Sequence, residues 1–381
     1  MDFDYDTEQN DLRDAVRALL ERAYGEIEQR RKVTANDPGF DEKLWARLAE
    51  MGLLGLPFAE EHGGTGAGPV EVAIVAEEIG RVLAPEPFVE VVVLAGGLVD
   101  AVGTDEQRTR ILSGIADGSQ IVAFAHAEPG TRWTSSAAGV RATQDGGGWQ
   151  LTGAKEPAPN GARADLLVVS AATGDGTKLF LVPGDAAGVT RTGYRTHDGG
   201  RAARITFAGT PAEPLGTAAD DTAEIEEGLA RARIAYANET VGIMASALAA
   251  TTEYLKTRKQ FGVTLNTFQA LTFRAADMYV SLELARSVAL WATLVIDTGG
   301  DVVAAADRAR LQTGKAGRHI CQESVQLHGG IGVTAEYSVG HRLSRLTAVD
   351  HLLGDRDWAL GRLAERVREH DVVDPIGAPY V

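Results

Sequence analysis

The chain has 381 residues, 44 % hydrophobic and 24 % charged, enough to bury a substantial core in two or three lobes. With 37 Lys and Arg against 53 Asp and Glu, its formal charge of −16 argues against a general nucleic-acid or anionic-membrane surface. The single cysteine, Cys321, excludes an internal disulfide framework and reads as a small apolar residue inside a helix.

Met1 to Asp6 is acidic where a targeting segment would be basic, and no uninterrupted apolar run looks long enough to cross a bilayer. A cytosolic protein is therefore expected. From Glu8 to about Arg31, Leu12, Val16, Leu19 and Leu20 recur at helical spacing. Asp41 to Met51 predicts a second helix with Leu44, Leu48 and Met51 on one face and Gly52 ending it. The glycine-dense stretch Gly52 to Gly66 lacks the Lys-Ser/Thr of a P-loop. Pro69 to Arg81 and Phe88 to Val102 are again helical in period, and Thr104 and Asp105 can cap a helix running to about Ala116.

The texture changes at Ile121. The runs V-A-F-A, W-Q-L-T-G, L-L-V-V-S, K-L-F-L-V and A-A-R-I-T-F predict about six strands by Phe207. Long helices return at Asp220 to Thr257, Thr267 to Thr298, Val302 to Gln326 and Ser338 to His370. Helices, then strands, then helices is an unusual order.

The segment Gln326 to Tyr337 reads Q-L-H-G-G-I-G-V-T-A-E-Y. Glycines after a helix allow close backbone approach to a ligand, though a G-G-x-G alone is more often a plain helix–helix turn. Together with R-K-Q-F-G at Arg258 to Gly262 and F-Q-A at Phe268 to Ala270, it resembles the flavin-dependent acyl-CoA dehydrogenase family. The resemblance runs from the acidic N-terminal helix to about Asp357. It implies an α+β multidomain fold: an N-terminal helical bundle (1–120), a small middle β-domain (121–215) and a C-terminal four-helix bundle (216–381). It also implies that the three motifs reach across a dimer interface to the adenosine diphosphate part of a neighbouring subunit's FAD. The residues so implied are Arg258, Gln260, Phe261, Gln269, Gln326, Gly329 and Gly330; no metal is implied. Arg258 suits a pyrophosphate, which its guanidinium can grip with paired bonds, and the two glutamines suit adenine and ribose edges.

The signatures that hold a subunit's own isoalloxazine ring are altered. The family's T-E-P-x-A-G-S-D corresponds to Ala127-Glu128-Pro129-Gly130-Thr131-Arg132-Trp133-Thr134, which loses the Thr hydroxyl and gains two bulky side chains. The family's G-x-K-x-W-I-T-N-G corresponds to Gly153 to Gly161, with Pro157 for the stacking Trp and Pro159 for the Thr. Dehydrogenation of an acyl-CoA needs a carboxylate to take the α-proton while hydride leaves the β-carbon. The family's two Glu positions fall on Leu353 and Ala232. Asp350, Asp355 and Glu239 are the nearest substitutes, and as bland readings each is a solvated or capping carboxylate.

Three readings stand. The first is a non-catalytic partner completing the FAD site of a homologous catalytic acyl-CoA dehydrogenase subunit, as an α2β2 heterotetramer with electron-transfer flavoprotein as acceptor. Leu353-Gly354-Asp355 in place of E-G-T resembles partner subunits acting on CoA thioesters of sterol or bile-acid side chains. The second is a homo-oligomeric dehydrogenase with Asp355 as a relocated base. The third is a flavin-free binding or scaffold protein on the same fold.

Overall fold

The computed structural model describes residues 5–367, so Met1–Asp4 and the expected helical residues 368–370 lie outside it. The N-terminal region is helical: α1 (Thr7–Tyr24), α2 (Ile27–Thr34), α3 (Glu42–Glu50), α4 (Pro69–Val82), α5 (Gly97–Val102) and α6 (Asp105–Ala116). One helix was expected from Glu8 to Arg31, but the chain breaks after Tyr24 and restarts at Ile27. Thr104 caps α6 reciprocally with Gln107, as its sequence predicts. Gly52 follows α3 in the left-handed region, whereas Met51 is exposed rather than packed with Leu44 and Leu48. Val89–Gly96 forms a π-helix running into α5, where periodicity predicted a regular helix.

Seven strands follow, β1 (Val122–Ala125), β2 (Arg141–Asp145), β3 (Gly148–Pro159), β4 (Leu166–Ala172), β5 (Thr177–Pro183), β6 (Val189–Arg195) and β7 (Arg201–Pro214). The pairings β4–β5–β7–β3–β2 close through a single β2–β4 pair, giving a small barrel with β1 beside β4 and β6 beside β7. One strand more than the expected six is present, and β2 and β6 lie outside the five apolar runs because they carry almost no buried side chains. Alternation in β7 turns Ala203, Ile205 and Phe207 into the barrel core with Phe180 and Val182 of β5.

The C-terminal bundle comprises α7 (Thr222–Thr257), α8 (Gln269–Thr298), α9 (Val302–His328), α10 (Ser338–His351) and α11 (Arg356–Arg366). A single helix was expected from Ser338 onward; instead Asp355 caps α11 through the Trp358 N–H at 2.8 Å and ends the previous helix's register. By length and composition α8 could cross a membrane, contrary to the expectation that no segment could. Charged residues interrupt it, including Arg274, Asp277, Glu283 and Arg286, and one stripe packs into the bundle through Met278, Leu282, Ala285 and Ala289.

Inside the barrel Lys155 is fully buried and bonds the Glu128 carboxylate at 2.7 Å, the His126 carbonyl and the Ser170 hydroxyl. Glu128 also accepts from the backbone N–H groups of Ala138, Gly139 and Val140. Burial alone would raise this carboxyl, but Lys155 and the N–H groups bring it down to about 2. Lys155→Met is expected to cost about 3–5 kcal/mol in urea unfolding, because it leaves a buried carboxylate without its partner. Because the folded value lies below the ordinary 4.5, Glu128 contributes its stabilisation fully above that range and loses it as the pH falls toward about 2. Acid unfolding of the wild type and the variant should therefore converge in that window.

Candidate functional site

The implied nucleotide-contact residues gather at one end of the C-terminal bundle. Arg258 ends α7, and its carbonyl accepts from Leu265 N–H, closing the short hairpin of β8 (Lys259–Gln260) and β9 (Val263–Thr264). Phe261 and Gly262 turn that hairpin with positive φ, and Phe261, 91 % exposed, packs edge-on against Phe268. Gln260 bonds the adjacent Lys259 carbonyl, and exposed Gln269 opens α8. The helix α9 delivers Gln326, Gly329 and Gly330 to the same end, all exposed.

The joint between the two halves is His328, a residue whose role the motif alone did not reveal. It is buried, stacks on Tyr254 with centroids 4.4 Å apart, leans on Tyr337, and holds Ser324 O at 2.7 Å through Nδ1. Tyr254 lies one turn before Arg258, and its carbonyl accepts the Arg258 N–H. The aromatic stack thus carries the α9 glycines to the end of α7. A Cβ added at Gly329 or Gly330 would meet nothing within 4 Å among the described residues. Positive φ explains glycine at 329, but no packing among the described residues explains Gly330. Arg258 is exposed and forms no ion pair among the described residues. Beside this corner α8 turns Phe273, Val280 and Leu284 to solvent, more than half exposed and on one helical side.

The second region lies between the barrel and the loop joining α10 to α11. Trp133 projects from the altered first signature, and its Nε1 donates to the His351 carbonyl at 3.4 Å. Its ring sits 6.2 Å from that of Trp358 on α11. Barrel and α10–α11 loop therefore touch at this point. Trp358 is clasped by Arg233 and Arg362, at 4.6 and 4.7 Å from its ring. It presses on Gly354, where a Cβ would fall 2.4 Å from the indole and φ is +113°. Pro157 and Pro159 line a neighbouring cavity of about 370 Å³ with Arg345, His351 and Leu352.

Neither vacated Glu position carries a proton acceptor. Ala232 is fully buried in the core, and half-buried Leu353 packs against it with φ +60°. The loop is pinned by two buried guanidiniums: Arg233 bonds Leu353 O at 2.7 Å, and Arg310 bonds Gly354 O, Leu352 O and Val349 O. Of the substitutes, Glu239 is buried and held by Arg345 through two bonds at 2.7 and 3.2 Å, with Arg345 also on Asp198. Asp355 is the cap of α11. Asp350 is half-buried, and its Oδ1 lies enclosed 2.7 Å from where a Cβ on Gly314 would be.

A helical bundle, a β-barrel and a second helical bundle in this order define an acyl-CoA dehydrogenase-type fold. Residues 6–119 match the "Acyl-CoA dehydrogenase, N-terminal domain" and residues 223–368 the "Acyl-CoA dehydrogenase, C-terminal domain". Acyl-CoA dehydrogenase FadE12 of Mycobacterium tuberculosis is 32 % identical over 81 % of this chain and 84 % of its own length. Among solved structures, a variant of the Tcur3481-Tcur3483 steroid ACAD aligns with TM-score 0.87 and 33 % identity, over 95 % of this chain and 98 % of that one. The ChsE4-ChsE5 complex of Mycobacterium tuberculosis aligns with TM-score 0.87 and 26 % identity, over 98 % and 100 %. The chain belongs to the acyl-CoA dehydrogenase family, oxidoreductases that act on CH–CH bonds and usually carry FAD.

As a cap, Asp355 contributes through geometry, so Asp355→Ala should cost about 1 kcal/mol in chemical denaturation while Asp355→Asn recovers most of it. A proton-transfer role would instead appear as equal loss of dehydrogenase turnover in both variants.

Proposed function

We propose that this chain is the non-catalytic subunit of a heteromeric FAD-dependent acyl-CoA dehydrogenase, completing the flavin site of a homologous catalytic subunit. The observation that carries this reading is the contrast between its two sites. The barrel side does not fit an isoalloxazine: Trp133 bridges to the α10–α11 loop, Ala127 offers no hydroxyl, and two prolines stand at the stacking and donor positions. Hydrophobic Leu353 and Ala232 stand where a base would be needed.

The opposite end does fit the adenosine diphosphate part of a neighbour's FAD. Arg258 would grip the pyrophosphate in a bidentate fashion, Gln269 and Gln326 would meet adenine and ribose edges, and Gly329 and Gly330 would let the backbone approach. Gln260 and Phe261 complete that corner. FAD bound there supplies the hydride acceptor for the catalytic subunit, while this chain only holds its nucleotide end. The adjacent apolar side of α8 supports burial against a partner subunit.

The likeness to a steroid ACAD and to a two-component complex supports a heterotetramer acting on a bulky CoA thioester, such as a sterol or bile-acid side chain. Electron-transfer flavoprotein is the proposed acceptor, and the cytoplasm the proposed location. A homo-oligomer using Asp355 is disfavoured by that carboxylate's capping bond, and a flavin-free scaffold leaves Arg258, without an ion pair among the described residues, and glycine at 330 without a purpose.

Flavin stoichiometry tests the proposal. Co-expression with the catalytic partner should give about one FAD per two chains, and this chain alone should be colourless or insoluble. One FAD per chain in a yellow homo-oligomer would refute it. Within the complex, Arg258→Ala should lower flavin retention by about tenfold or more without changing circular dichroism. Leu353→Glu should create no dehydrogenase activity in this chain by itself, since the barrel side still lacks its flavin contacts; turnover with an artificial acceptor would contradict the assignment.

A further inference from the structure

On the side of α7 turned away from Arg233 lies a cavity of about 370 Å³, between the first half of α7, the last turns of α8, the start of α4 and the π-helix with α5. It shares no residue with the cavity beside Pro157 and Pro159, which meets another side of the same π-helix at Glu90. Arg258 is at the far end of α7. Phe58, Val72, Val92, Val93, Ile234 and Ile296 make the wall apolar. Two features of that wall are not explained by packing. Val92 and Val93 belong to the π-helix, a rare form that recurs at functional sites. Gly97 follows it in ordinary helical conformation, where glycine weakens a helix, and a Cβ there would meet nothing within 4 Å among the described residues.

The floor carries one open hydrogen-bonding atom. Asn238, 6 % exposed, donates from Nδ2 to Ile234 O at 2.9 Å and to Thr293 Oγ1 at 3.0 Å. A backbone carbonyl can only accept, so the first bond fixes which end of the amide is nitrogen. Thr293 in turn donates to Ala289 O at 3.0 Å. Asn238 Oδ1 is left as an acceptor that no donor reaches among the described residues. A water there would find one protein partner where a buried water makes about three bonds. At the mouth stand Asp100, Glu224 and Glu227 against one guanidinium, that of Arg231, which gives Glu227 two bonds at 3.0 and 2.8 Å.

We propose that this cavity binds a neutral aliphatic alcohol, its hydroxyl donating to Asn238 Oδ1 and its chain lying against the apolar wall. An acceptor at the floor and an acidic mouth oppose a carboxylate, and an ammonium at the floor would meet no counter-charge. A hydroxyl needs only the one acceptor, and the volume is that of a small-ligand site. The alcohol site stands apart from the flavin assignment, since neither α9 nor the barrel contributes to it.

Isothermal titration of the chain, in whatever assembly it purifies, tests this with n-octanol and with octanoate. Saturable octanol binding is expected, with octanoate weaker by about tenfold or more. Asn238→Leu removes the acceptor and should weaken octanol about tenfold. Gly97→Leu sets a side chain in the open space and should abolish octanol binding. No saturable octanol binding, octanoate binding as tightly as octanol, or octanol affinity unchanged in Gly97→Leu would each overturn the proposal. Unchanged affinity in Asn238→Leu overturns it equally; should that variant fail to fold, Gly97→Leu and the octanoate comparison decide the matter without it.

Discussion

The α10–α11 loop is held by two arginines that spend themselves on backbone carbonyls. Arg310 reaches Val349, Leu352 and Gly354, and Arg233 reaches Leu353. Guanidinium groups in a core are costly unless their N–H donors are satisfied, and a helix end likewise leaves carbonyls without partners. Here each need meets the other. The course of the loop is therefore fixed through its backbone and not through the Leu353 side chain. Trp358 can then lie flat between Arg233 and Arg362 over Gly354, and Trp133 of the barrel closes against it.

The same division runs through the barrel. Glu128 and Lys155 match the family's two flavin signatures, yet both are occupied inside the domain, bonding each other and the backbone at residues 126 and 138–140. They tie the first signature to β3 whether or not a flavin is present. The positions that differ from the signatures include Arg132, Trp133, Pro157 and Pro159, which are exposed or half-buried. A frame required for folding outlasts a surface required only for a ligand, because removing one member of a buried pair costs several kcal/mol.

Much of the architecture was legible in the chain itself. The reciprocal cap at Thr104 and Gln107, the alternation of β7 and the long apolar periods of α7 to α9 are local patterns, and the protein follows them. The misses have equally local causes. β2 and β6 bury too little to leave a hydrophobic trace, and the break before α11 was signalled by Gly354-Asp355, where a left-handed glycine precedes a capping carboxylate.

By itself the sequence determined the order of the domains, the gathering of Arg258, Gln269 and Gln326 into family motifs, and the lack of a carboxylate at Leu353 and Ala232. Those are matters of residue identity and of spacing over a few positions. Only the tertiary structure decided what the remaining acids do and whether the barrel side stays open. Glu239 meets Arg345 across 106 positions, and Trp133 meets His351 across 218. Helical and strand periods extend over two to four residues, so contacts at such separations exist only once the barrel and the two helical regions have packed.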